Sequence, residues 1–258
     1  MQITKQELNH NEFAGNNLVL IKLPQDYYKY LHSFYEKKIG DVEVEIVTSG
    51  NPGEHCPRYG ELIKNPTKLI YDNANWTTTM PHLTTIETKP GDLVFFDYQT
   101  CMIALGKLAN PVTSNVRGEK WLRCGDDLYV FIPYRSLYIA LRGDVKWRGQ
   151  EISNLKDIDV ICLNGYTVVE TMYEEVKSSV IIPEIFKQKK ELHKSKVIYC
   201  GSINKENGDG LKDASNIKVG DVVISRPIRV PMETSIAAIL GNKNLNYLQR
   251  KFIFATEY

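Results

Sequence analysis

Five histidines and five cysteines are the residues of this chain whose types could build a metal site or a catalytic centre, and their spacing supports neither. His10, His32, His55, His82 and His193 are dispersed. No H-x-x-x-H or H-E-x-x-H pair sets two imidazoles on one helical face, which is what zinc hydrolases use. His55-Cys56 is the one adjacent couple of these types, and it has no second ligand pair nearby. A phosphate-cradling G-x-x-x-x-G-K-S/T loop is absent, so the chain is not expected to hydrolyse ATP. Gly208-Asp209-Gly210 begins like a dinucleotide fingerprint, but the third glycine of G-x-G-x-x-G is missing. The expectation is a protein that is not an enzyme and holds no metal or cofactor.

The remaining chemistry is recognition. Val180-Ile181-Ile182 is an aliphatic triplet closed by Pro183, set between polar Glu174–Ser179 and the charged run Lys187-Gln188-Lys189-Lys190-Glu191. An isolated aliphatic triplet is commonly a core strand. One placed between polar flanks cannot bury itself alone, but it can fill a partner's pocket. Each side chain then contributes about 1.5–3 kcal/mol when fully buried, and ordering the segment takes back about 2–5 kcal/mol. Ile46-Val47-Thr48 is a candidate for a second plug of this kind, although Val42, Val44 and Ile46 alternate as an exposed strand does.

The elements that must position these segments show an internal repeat. Lys89-Pro90-Gly91-Asp92-Leu93-Val94-Phe95-Phe96 returns as Lys218-Val219-Gly220-Asp221-Val222-Val223-Ile224-Ser225, half the chain later. Each copy is a Gly-Asp turn feeding a short apolar strand. The flanks follow the same order in both halves. A first strand (Leu18–Ile21; Tyr166–Val169) leads to a second (Tyr59–Ile63; Ser195–Tyr199), and a closing stretch follows (Tyr134–Ala140; Gln249–Ala255). Order kept across two halves indicates tandem β-domains. The expected organisation is an N-terminal arm over 1–16, a divergent first domain over 17–142, a linker over 143–157 and a second domain over 158–258. The pairs Asn207-Gly208 and Asp209-Gly210 predict a hairpin tip, whereas Trp76–Thr88 stands at that place in the first half. Aromatics over Tyr27–Tyr35 could form one short helix.

Composition limits the class of partner. Lysine and arginine number 32 against 31 aspartates and glutamates, a net charge of +1. No basic field points to nucleic acid, and no apolar run approaches membrane-spanning length. The opening residues lack the apolar core of a signal peptide. The cysteines (Cys56, Cys101, Cys124, Cys162, Cys200) are scattered and odd in number, as in a reducing compartment. A cytoplasmic location is therefore expected.

Over about residues 160–258 the chain resembles a GroES-type co-chaperonin, the small barrel that caps a chaperonin chamber. The resemblance is carried by the first strand, the polar loop with its apolar triplet, the strand ending at Cys200-Gly201, the Asn-Gly hairpin, Lys218-Val219-Gly220-Asp221 and the final strand through Phe254-Ala255. The first half looks like a divergent second copy, and the whole resembles the tandem form found in plastids. The fold implied is all-β, two tandem GroES-like small β-barrels. The resemblance makes Val180, Ile181, Ile182 and Pro183 a mobile chaperonin-binding loop, and Asn207, Gly208, Asp209 and Gly210 a roof hairpin. It implies a GroEL-type chaperonin in its ATP-bound state as partner, and a homo-oligomeric ring joined through the end strands Leu137–Ala140 and Phe252–Ala255. Medium-chain dehydrogenases also carry such a barrel, but they need the dinucleotide motif that is missing here. The competing expectation is a structural ring or virion protein that reuses the barrel without binding a chaperonin.

Overall fold

The computed structural model describes residues 17–24, 37–39, 42–44, 58–70, 85–105, 121–143, 158–175, 188–201, 217–226, 230–232, 240 and 244–257. The chain divides into two compact units, one of residues 1–81 and 86–151, the other of 82–85 and 152–258. Both are built from antiparallel strands, and the described residues are all-β apart from one seven-residue helix and two 3-10 turns.

The first unit contains β1 (Leu18–Lys22), β2 (Lys37–Ile39), β3 (Val42–Val44), β4 (Tyr59–Lys64), β5 (Leu93–Phe96), α1 (Tyr98–Ala104), β6 (Trp121–Cys124), β7 (Asp127–Pro133) and β8 (Leu137–Arg142). Six of its strands lie in the order β6-β7-β1-β4-β5-β8, and β2 pairs with β3 as a separate hairpin. The second unit contains β9 (Asp159–Cys162), β10 (Tyr166–Glu175), β11 (Gln188–Cys200), β12 (Val222–Ser225), β13 (Val230–Pro231), β14 (Leu245–Gln249) and β15 (Ile253–Glu257). Its sheet runs β13-β14-β10-β11-β12-β15. The two orders are the same path, strand for strand.

The correspondence extends to single residues. In the first unit Leu20 pairs with Lys64 and Ile21 with Leu62, with a register shift between Leu20 and Ile21. In the second, Val168 pairs with Tyr199 and Val169 with Val197, and the shift falls between Val168 and Val169. The pairing of β5 with β8 shifts between Phe95 and Phe96, and that of β12 with β15 shifts between Ile224 and Ser225. Bulges are local departures that bend a strand, so their recurrence at equivalent ladder positions marks one plan used twice. The closing stretches also agree. A 3-10 turn separates β7 from β8 at Tyr134–Ser136, and another separates β14 from β15 at Arg250–Phe252.

The buried faces follow from this plan. Val169, Val197, Ile217, Val223 and Leu248 form one core cluster of the second unit. Ile21, Leu62, Val94 and Ile132, which hold the equivalent ladder positions in the first, are all fully buried. Gly60 is required by close packing, because a Cβ there would stand 2.5 Å from both Ile21 Cγ2 and the Lys22 carbonyl oxygen. Gly201 meets the same constraint against the Cys162 carbonyl.

Several expectations need correction. The sequence reading did not single out β6, which occupies Trp121–Cys124 and pairs along β7. The closing strands begin at Leu137 and Ile253, because the residues just before them form 3-10 turns. Of the strand expected over Val42–Val47, Val42–Val44 is strand and pairs with Lys37–Ile39, and residues 45–47 lie outside the described residues. The second domain's first strand runs on to Glu175 and its partner starts at Gln188, so much of the expected polar flank is ladder. The helix expected over Tyr27–Tyr35 lies outside the described residues.

Candidate functional site

The repeated Lys-x-Gly-Asp turns are where sequence and structure meet most directly. The Asp92 amide donates to the Lys89 carbonyl at 3.0 Å, and the Asp221 amide to the Lys218 carbonyl at 3.2 Å. Gly91 and Gly220 take φ of 92° and 97° at the third turn position. A side chain there would be strained, and glycine is not. Each aspartate then closes its own turn, Oδ2 accepting the Lys89 N–H at 2.7 Å in one case and the Lys218 N–H at 2.8 Å in the other. The turns lead β5 and β12 into the sheet, since Gly91 N–H donates to Leu62 and Gly220 N–H to Val197. Gly91, Asp92, Gly220 and Asp221 are therefore framework residues at equivalent places.

The two turns differ in what covers them. Asp92 is buried, and Arg142 at the end of β8 donates to both of its carboxylate oxygens, at 2.9 and 2.8 Å. The same guanidinium donates to the Glu87 carbonyl at 2.8 Å. Asp221 is only half-buried, and the place equivalent to Arg142 is held in sequence by Tyr258. Sequence reasoning missed Arg142, since nothing in the sequence pairs it with a turn fifty residues earlier.

The start of each closing 3-10 turn carries a buried anchor. The Tyr134 amide donates to Asn17 and the Arg250 amide to Gly165, just ahead of β1 and β10. The Tyr134 hydroxyl accepts the Glu87 N–H at 2.9 Å, and the Arg250 guanidinium donates to the Gly201 carbonyl. Burial raises the Tyr134 pKa above its ordinary value, only partly offset by hydrogen bonds from Glu87 and Thr88. At the edge of β1, Lys22 pairs with Asp127 at 2.5 Å. Close by, burial and then the Asp127 charge raise the pKa of Tyr129 to about 12.

Both aliphatic segments that the sequence offers as plugs fall on the connection between the first and second strands of a repeat. In the second unit β10 and β11 continue past their neighbours. The pairing with β14 stops at Glu170, and β12 covers only Lys194–Lys196. Beyond these, Tyr173 pairs with Lys190, Glu174 with Lys189 and Glu175 with Gln188. The result is a two-stranded ribbon that carries residues 176–187 between its ends. Val180, Ile181, Ile182 and Pro183 belong to that segment and lie outside the described residues. In the first unit the same connection, between β1 and β4, holds the β2–β3 hairpin. Ile46, Val47 and Thr48 follow that hairpin and also lie outside the described residues. So do Asn207, Gly208, Asp209 and Gly210, which fall between β11 and β12.

Tyr173, 43 % exposed on the ribbon, and Phe254, 59 % exposed on β15, are two of four large apolar residues exposed among the described residues. The sequence reading did not single out Tyr173 and placed Phe254 only within an end strand. Phe254 is the ladder counterpart of Tyr138, which is 6 % exposed. An arginine, Arg226, lies over its ring at 5.7 Å.

Among the described residues no group of three His, Cys, Asp or Glu side chains could hold a metal ion. His55 and Cys56 lie outside them. Cys101, Cys124, Cys162 and Cys200 are not joined in disulfides. No described helix is long and apolar enough to cross a membrane. No protein-family model matches the chain, and no curated protein is significantly similar to it.

Proposed function

We propose that this chain is a tandem co-chaperonin, with two GroES-like barrels, that caps or modulates a GroEL-type chaperonin ring. The observation that carries the reading is the β10–β11 ribbon. It leaves the sheet between two flanking strands and carries at its end the segment with Val180, Ile181, Ile182 and Pro183. An apolar plug presented this way suits a groove on a partner, and one plug alone is a weak ligand. Useful affinity comes from several copies on a ring, through effective concentration. The equivalent connection of the first unit carries Ile46, Val47 and Thr48, so both candidate plugs occupy the same place in the repeated topology.

Assembly of copies into a ring is the second part of the reading. β15 is an edge strand with exposed Phe254 and Ala255, whereas Leu137–Leu141 of its counterpart β8 are all buried. Unpaired edges invite pairing with another chain. Two barrels per chain cannot fill a seven-position ring with whole chains. The assembly must mix with single-barrel subunits, leave a barrel out, or adopt another symmetry.

The deciding experiment is co-sedimentation with a bacterial chaperonin, with and without ATP, using the native chain and an Ile181→Asp variant. ATP-dependent binding that the variant loses is the expected result. A folded chain that binds in neither form overturns the reading. The exposed β15 edge would then favour a structural ring or virion protein.

A further inference from the structure

We propose that Thr171 and Ser195, which face each other on β10 and β11, bind an internal water molecule in the core of the second unit. Asn246 on β14 fixes the threonine hydroxyl for that role. The site does not depend on the co-chaperonin reading.

A buried hydroxyl points to it. Ser195 is fully buried, and among the described residues its Oγ has no hydrogen-bond partner. The other buried serine and threonine hydroxyls described in this unit are satisfied. Thr167 donates to the Leu248 carbonyl and Ser225 to the Arg226 carbonyl, each at 3.0 Å, and Thr171 Oγ1 accepts from Asn246 Nδ2 at 2.9 Å. A hydroxyl buried without a partner forfeits the bonds it makes to water in the unfolded chain. Folded interiors rarely keep one in that state.

The first repeat fills the same layer without polar side chains. Gly60 is the counterpart of Ser195, since Gly60 pairs with Val94 as Ser195 pairs with Val223. Val130 is the counterpart of Asn246, paired with Ile21 as Asn246 is with Val169. Leu23 is the counterpart of Thr171, because the Leu23 amide donates to Leu128 and the Thr171 amide to Asn244, each two residues before that position. Leu23 and Val130 are fully buried, and a Cβ on Gly60 would stand 2.5 Å from Ile21 Cγ2. That layer closes by apolar contact, with no space for one added atom. In the second unit all three places are polar.

The spacing suits one water. Residues directly opposite on a sheet face hold their Cβ atoms about 4.5–5.5 Å apart, and a water between two such hydroxyls reaches each at about 2.8 Å. Thr171 Oγ1 accepts from Asn246 and has its own proton to donate, while Ser195 can donate and accept. The Asn246 amide is itself anchored, donating also to the Asn244 carbonyl at 3.0 Å. Buried waters have about two to four polar partners, and these hydroxyls supply two.

The test uses the full chain with Ser195→Ala, Thr171→Val and the double variant. Oxygen-17 relaxation dispersion counts long-lived internal waters and is blind to hydroxyl protons; urea denaturation gives the unfolding equilibrium. Each single variant should hold one water fewer than the native chain, and the double variant should lose no second one. Ser195→Ala should shift the equilibrium about fivefold towards the unfolded chain, as loss of one net hydrogen bond does. An unchanged water count in Ser195→Ala overturns the site. So does a Ser195→Ala chain more stable than the native one, because deleting a hydroxyl that has no partner at all is stabilising. A double variant that loses two waters overturns the shared site, since the two hydroxyls would then hold separate molecules.

Discussion

Arg142 holds Asp92 by two parallel N–H···O bonds, Nε to Oδ1 at 2.9 Å and Nη2 to Oδ2 at 2.8 Å, across fifty residues of sequence. Asp92 is 3 % exposed and Arg142 29 % exposed at the side chain. The pair ties the last residue of β8 to the turn that starts β5. Removing one partner of a largely buried, bidentate pair leaves the other short of hydrogen bonds, a cost of about 2–3 kcal/mol. Arg142→Ala should destabilise the first unit by that amount. Asp221→Ala in the second unit should cost only about 1 kcal/mol, because among the described residues its carboxylate closes its own turn and no arginine holds it. Urea denaturation of the two variants checks the difference. Equal losses would mean that the clamp adds nothing to the turn.

The Tyr129 phenol gives a pH dependence whose sign is fixed by its direction. Its pKa in the folded chain is about 12, raised first by burial and then by Asp127, against an unfolded value near 10. Between those values the folded state keeps a proton that the unfolded state releases. Stability contributed by this group is therefore complete below pH 10 and falls as pH rises towards 12. The slope contributed approaches about 1.4 kcal/mol per pH unit at most. Tyr129→Phe should flatten the alkaline limb of a stability-against-pH curve. An alkaline limb identical in the variant would show that this phenol titrates normally.

Phe254 should matter to assembly more than to folding. It is exposed on the edge strand β15, and its counterpart Tyr138 is buried. Phe254→Glu should leave the denaturation midpoint within about 0.5 kcal/mol of native, as surface substitutions generally do. It should also shift the mass seen by sedimentation equilibrium towards the single chain. A monomeric native chain, or an oligomer that tolerates the change, would remove β15 from the assembly interface.

The sequence by itself determined the local grammar of this protein. Lys-x-Gly-Asp read as a turn because glycine alone accepts the positive φ at its third position and aspartate closes the turn onto the lysine amide. Both are short-range effects, and both copies were legible. The all-β class followed for the same reason, from short apolar runs bounded by turn residues. Leu18–Ile21 and Tyr166–Val169 were found because strand periodicity is local. Trp121–Cys124 was not, because its polar and glycine-rich surroundings hide a strand that only pairing with β7 reveals. Tertiary structure alone decided which residues stand opposite one another. The bulges, the Arg142–Asp92 clamp and the ribbon of Tyr173 with Lys190 are facts of register, and register is a choice among many pairings of distant segments. Burial of a whole sheet face selects among those pairings. That is a collective energy, which no stretch of ten residues contains.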